Sequence, residues 1–145
     1  MNISIIVATF NGAGKIQGLL DALLCQSKPD FELIVVVDGS MDNTPEVIEA
    51  YREKFSCLKL VIQPNKGRAG ARNRGVEDAT GDLLVFYDDD MIPGSDSVLR
   101  HLNFHNQYTG LVSGNPIELE DSSKTDIRIT RPILQLSGQK NTWML

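Results

Sequence analysis

A chain of 145 residues with 41% hydrophobic content is long enough for one domain with a real core and has an ordinary globular composition. Fourteen Lys and Arg against 19 Asp and Glu leave a net charge of −5. That argues against general nucleic-acid binding, which needs a basic face.

No run approaches the length of a membrane span, and the N-terminus lacks the basic-then-apolar layout of a signal peptide. A cytoplasmic placement is expected, with membrane association left to other parts or partners. Cys25 and Cys57 are isolated in apolar-patterned segments and read as reduced core thiols.

Ile3-Ser4-Ile5-Ile6-Val7-Ala8 is a short branched apolar run, as expected for a strand covered on both faces. Thr9-Phe10-Asn11-Gly12 breaks it with turn chemistry. Ile16, Leu19, Leu20, Leu23 and Leu24 follow the i, i+3, i+4, i+7, i+8 pattern of an amphipathic helix. A second buried strand, Phe31 to Val37, runs into Asp38-Gly39-Ser40. Thr44-Pro45-Glu46 reads as a helix start, with Thr44 as cap, and Val47, Ile48, Tyr51 and Phe55 give its inner face.

Leu58 to Ile62 is a third strand. Asn65 to Gly75 is a Gly-punctuated basic segment leading into a helix with Ala69, Arg72, Val76 and Ala79 along one side. Lys66, Arg68 and Arg74 in the same segment read mainly as a solvated face. Ser95 caps a further expected helix through Val98, Leu99 and Leu102, and Leu111 to Gly114 reads as another strand. Strand and helix alternate, which predicts an α/β three-layer sandwich with a mostly parallel sheet and right-handed crossovers.

The most informative stretch is Leu83-Leu84-Val85-Phe86-Tyr87-Asp88-Asp89-Asp90-Met91-Ile92-Pro93. A buried strand runs straight into three consecutive carboxylates, which repel one another and resist desolvation. Something cationic is expected there, and a hard divalent ion, Mg²⁺ or Mn²⁺, shared with a substrate phosphate is the simplest candidate. The turns after Ala8, Val37 and Tyr87 all lie at the carboxyl ends of strands, where parallel sheets bind ligands. An acidic strand-end turn pointing into water is the plainer alternative.

Four segments, in order, resemble the motifs of family 2 glycosyltransferases of the GT-A fold. They are Ser4 to Asn11, Val37 to Thr44, the basic run Asn65 to Gly75, and Asp88-Asp89-Asp90, which is similar to that family's D-x-D metal motif. The resemblance covers about residues 1 to 115 and implies a nucleotide-diphosphate-sugar donor, most simply a UDP-sugar. It also implies Mn²⁺ or Mg²⁺ as cofactor and transfer of the sugar, with inversion, to an acceptor hydroxyl in polysaccharide or glycolipid synthesis. By the same resemblance Asp38 would hydrogen-bond the base, and Thr9 and Asn11 would line base and ribose. Arg72 would face base or diphosphate, Asp88 would contact ribose or metal, and Asp90 would be the direct metal ligand. Asp89, pointing to the opposite side of an extended segment, is assigned neither contact.

The implied organisation is a donor-binding α/β domain over 1–117, followed by the start of an acceptor-side region over 118–145. The family's catalytic carboxylate is not found: Glu118, Glu120 and Asp121 sit in no matching motif. His101 and His105, spaced i, i+4, lack a third ligand pattern and read as surface or packing residues. The apolar ending Trp143-Met144-Leu145 suggests a missing partner surface or a homodimer. Two other functions stay open. One is nucleotide-sugar binding without turnover. The other is nucleotidyl transfer, for which the first loop lacks a P-loop's Gly-Lys-Ser/Thr ending because Ile16 follows Lys15.

Overall fold

The computed structural model describes residues 1–112. The chain order is β1 (Ile3–Thr9), α1 (Ile16–Leu24), β2 (Glu32–Asp38), α2 (Thr44–Glu49), a 3₁₀ turn at Arg52–Lys54, β3 (Leu58–Gln63), α3 (Gly67–Asp78), β4 (Leu83–Asp88) and α4 (Ser97–Gln107). All three strand pairings are parallel, and the four-stranded sheet has the order β3-β2-β1-β4. The expected α/β sandwich with a parallel sheet is the architecture found.

Strand order and handedness together dictate which helix covers which face. The steps β1→β2→β3 move across the sheet in one direction, whereas β3→β4 travels back past β2 and β1. Right-handed crossovers therefore put α1 and α2 on one face and α3 on the other. The core divides accordingly, because side chains alternate along a strand. Ile5, Val7, Leu33, Val35 and Val85 pack with Ile16, Leu19, Leu20 and Leu23 of α1, Ile48 of α2 and Val98 of α4. Ile6, Ile34 and Val36 pack with Ala71, Val76 and Ala79 on the α3 side. Strands β1 and β2 are buried along nearly their whole length, which is why they read as continuous apolar runs. Edge strand β3 is only partly covered, and its Ile62 is 63% exposed.

Several details differ from the sequence expectation. Cys25 and Cys57 are free but exposed, not core thiols. Each sits just off the end of an apolar element, where the hydrophobic pattern runs on past the last packed position. Leu24 is likewise at the margin of the α1 face. The inner face of α3 is Ala71 and Gly75, and Ala69 points to solvent. The cap before α2 is Asn43, and the cap before α4 is Asp96. Leu111 and Val112 are not in a strand. Ser113, Gly114, Glu118, Glu120, Asp121 and the ending at Trp143 lie outside the described residues. No helix among the described residues is long and apolar enough to cross a membrane.

Helix α3 has almost no apolar stripe, so small residues seat it. A Cβ added at Gly75 would sit well inside van der Waals contact of Ile6 Cγ2. Gly75→Ala should therefore lower stability by about 1–3 kcal/mol despite alanine's better helix propensity. Urea unfolding measures this, and in a cycle with Ile6→Ala the two penalties should be less than additive.

At the opposite edge from the strand ends, Glu32 ties three segments together. It accepts from Ser4 Oγ (2.5 Å), from Thr80 N (2.9 Å) and from Thr80 Oγ1 (3.2 Å), and it pairs with Lys59 Nζ at 2.5 Å. Burial alone would raise its pKa, but the Lys59 pair and the Ser4 and Thr80 hydrogen bonds outweigh this and lower it from 4.5 to about 2. The sign follows: the stabilisation is complete above pH 4.5 and is lost as the pH falls through about 2. Denaturant titrations from pH 6 to 2 should show that loss, and Glu32→Gln should flatten it.

Candidate functional site

The four strands end level with one another. Ala8 faces Asp88, Thr9 faces Val37, and Asp38 faces Gln63 across the ladders. Strand β1 lies between β2 and β4: the chain leaves β1 for α1 on one face but reaches β4 from α3 on the other, so the strand order reverses here and a crevice opens. Such switch points are where open α/β sheets bind ligands. An open cavity of about 350 Å³ occupies it, lined by segments that follow all four strands.

Of the side chains singled out from sequence, Thr9, Asp38, Arg72, Asp88 and Asp90 line this one cavity. Asn11 does not. It adopts a left-handed backbone (φ 47°), its amide N donates to Ser40 Oγ, and its Oδ1 accepts from Met41 N, both at 2.9 Å. Gly12 N donates to Thr44 Oγ1 and Ala13 N to Asp42 Oδ2. The β1–α1 loop is thus laced to the β2–α2 loop. Asp42 accepts from Thr44, and these hydrogen bonds hold its pKa below the usual carboxylate value.

Asp38 is 4% exposed. Its Oδ1 accepts from Gln63 Nε2 and from the Lys66 backbone N, both at 2.8 Å, and its carbonyl accepts from Asn65 Nδ2 at 3.1 Å. The end of β2 is therefore bound to the entry of α3, with one carboxylate oxygen committed to that bond set. Gln63 Oε1 is buried without a partner among the described residues.

The acidic run finds cations within the protein. Asp88 Oδ1 accepts from Arg72 Nη2 at 2.6 Å. Asp89 is 8% exposed, accepts from Thr9 Oγ1 at 2.7 Å, and pairs with Lys15 Nζ at 3.2 Å. Asp90 is exposed at the rim and has no ion pair among the described residues. The Met91 N–H donates to Asp88 O at 3.1 Å and closes a turn with Asp89 and Asp90 at its centre. A divalent cation suits this donor set in kind, because Mg²⁺ and Mn²⁺ take oxygen ligands and need only one or two carboxylates beside a substrate phosphate. Among the described residues no three His, Cys, Asp or Glu side chains form a complete metal cage.

Several lining residues were given no site role in the sequence reading: Phe10, Lys15, Asn65, Arg68 and Asp89. Phe10 carried a signal, as an aromatic inside a turn segment, and it is 47% exposed. Arg68 is exposed and also lines the cavity, whereas Arg74 pairs with Asp78 and Lys66 contributes its backbone. The starts of α1 and α3, at Lys15 and Gly67, both adjoin the cavity, and helix N-termini favour anions. His101 and His105 are half-buried on α4, away from the cavity. Burial lowers the pKa of both, and the neighbouring His105 lowers that of His101 further.

Gly39 (φ 76°) is the hinge between β2 and this site, and a Cβ there would meet Asn65 N at 2.7 Å. Gly39→Ala should cost about 1–3 kcal/mol and separate Lys66 N from Asp38. Thermal unfolding and the Lys66 amide NMR shift check the two parts.

The glycosyl transferase family 2 model matches residues 4–144. The poly-beta-1,6-N-acetyl-D-glucosamine synthase of Staphylococcus aureus (strain MW2) is 33% identical over 116 residues, which are 79% of this chain and 28% of that protein. S. aureus TarS in complex with UDP-GlcNAc superposes with a TM-score of 0.69 at 32% identity, covering 74% of this chain and 32% of TarS. The mannosyltransferase PcManGT of Pyrobaculum calidifontis, solved with GDP-Man and Mn²⁺, gives a TM-score of 0.64 at 31% identity, covering 70% and 32%. The chain spans 25% to 53% of the length of the curated relatives it matches. The fold is that of the GT-A transferases, and the chain belongs to glycosyl transferase family 2.

Proposed function

We propose that this chain is the donor-binding part of an inverting glycosyltransferase. It takes a nucleotide-diphosphate sugar, most simply a UDP-sugar, and works with Mn²⁺ or Mg²⁺ in polysaccharide or glycolipid synthesis at the cytoplasmic side. The observation that carries the reading is the convergence of Thr9, Asp38, Arg72, Asp88 and Asp90 on one cavity at the sheet's switch point. Relatives solved with UDP-GlcNAc and with GDP-Man and Mn²⁺ support a donor of this class.

Each side chain has a task its chemistry suits. Asp38, fixed through Oδ1, keeps its other oxygen to accept from a base N–H. Thr9 and Phe10 line the same cavity, with Asn11 shaping their loop. Arg72 and Lys15 offer cations to the diphosphate, Arg72 with a planar fork that matches phosphate oxygens. Asp88 and Asp90 would hold the metal, which supplies charge neutralisation to the departing nucleoside diphosphate.

The acceptor hydroxyl must lose its proton to a carboxylate as it attacks. The four carboxylates of the cavity, Asp38, Asp88, Asp89 and Asp90, are all committed to donor, metal or fold. That favours a second reading in which this chain alone binds the donor without turning it over. The division into a donor domain over 1–117 and an acceptor-side region over 118–145, with a carbohydrate or lipid-linked acceptor and a homodimer, belongs to the same proposal.

Calorimetry with UDP and Mn²⁺ tests it. Metal-dependent binding should weaken by about tenfold or more in Asp38→Ala and in Asp90→Ala, as expected when a charged hydrogen-bond partner or ligand is removed. Preference for a nucleoside triphosphate would instead support nucleotidyl transfer, and UDP release on adding acceptor would separate turnover from binding alone.

A further inference from the structure

We infer that Asp89, the middle acid of the three, is a positioning residue: it anchors the turn from below so that Asp88 and Asp90 open onto the cavity. The inference rests on the reading above and adds to it a residue that the sequence left without a role. Asp89 is the most buried of the three acids, at 8% exposed, while Asp88 and Asp90 are exposed. A carboxylate in that setting needs partners for its charge, and both of its oxygens have one. Oδ2 accepts from the buried Thr9 hydroxyl at 2.7 Å, and Oδ1 accepts from Lys15 Nζ at 3.2 Å.

These partners come from the end of β1 and the start of α1, so the anchor spans the crevice between β1 and β4. Space is made for it as well. A Cβ at Gly12 would collide with Thr9 Oγ1 and stand 2.9 Å from Asp89 Oδ2. The turn closed by Asp88 O and Met91 N then has its first central residue fixed, and its second, Asp90, is set at the rim. Asp88 is held from the other side by Arg72. Lys15 cancels the charge of Asp89, which lowers the repulsion its neighbours feel and leaves them as the acids open to an external cation.

The inference separates metal-dependent from metal-independent binding. In the full 145-residue chain, calorimetry with UDP, with and without Mn²⁺, and electron paramagnetic resonance of bound Mn²⁺ give the readouts. Asp89→Ala and Asp89→Asn should lose about tenfold or more of the affinity gained with Mn²⁺, while metal-free UDP affinity stays within about twofold. Lys15→Arg should retain the gain, and Lys15→Gln should lose part of it. Asp89→Asn keeps the size of the side chain and repeats the test should Asp89→Ala fail to fold.

Variants at Asp89 that keep the full Mn²⁺ gain would overturn the role, as would variants that lose metal-free affinity to the same extent. In either case the donor reading stands. A wild-type chain with no Mn²⁺-dependent gain overturns both this role and the metal assignment to Asp88 and Asp90.

Discussion

Three adjacent carboxylates at one strand end are the constraint around which the molecule is arranged. Uncompensated, they would push the end of β4 apart and into water. The structure responds with one cation from each side of the sheet. Lys15 arrives from the β1–α1 loop on the α1 face, and Arg72 arrives from α3 on the other face. Both can reach the same place only because the strand order turns back between β1 and β4. The topology therefore creates the crevice and also delivers the charges that make its acidic floor tolerable. Among the described residues two paired cations against three acids leave a surplus at Asp90, and that surplus faces the open rim.

Much of this was legible in the residues. Strands β1 and β2 announced themselves because burial on both faces demands unbroken branched apolar runs, and α1 because one buried stripe demands a 3.6-residue period. Asp38 and the acidic run stood out because carboxylates directly after buried strands are expensive without a purpose. What stayed hidden has physical reasons. Helix α3 packs through the smallness of Ala71 and Gly75, and a missing side chain leaves no hydrophobic period to detect. Alternation set Asp89 on the other side of the segment from Asp88 and Asp90, but only the long-range bonds to Thr9 and Lys15 show what it does there. Cys25 and Cys57 misled because a hydrophobic pattern does not state where packing stops.

The α3 side also explains how a basic helix can lie against a hydrophobic sheet. With Gly75 seated on Ile6 and Ala71 buried, the backbone comes close, and Arg68 and Arg72 extend along the cavity edge instead of across the core. Glycine inside a helix costs roughly 0.5–1 kcal/mol relative to alanine. Here that cost is offset by an approach no larger residue permits.

The lacing of the first two loops has a consequence for how such sites diversify. Backbone N–H groups of residues 11, 12 and 13 find their acceptors in Ser40, Thr44 and Asp42, and the Met41 N–H finds its own in Asn11. Neither segment is a self-sufficient module. Grafting one of them from a cousin enzyme would orphan donors in the other, so inheritance of this corner should proceed by paired exchange, with the two loops drifting together.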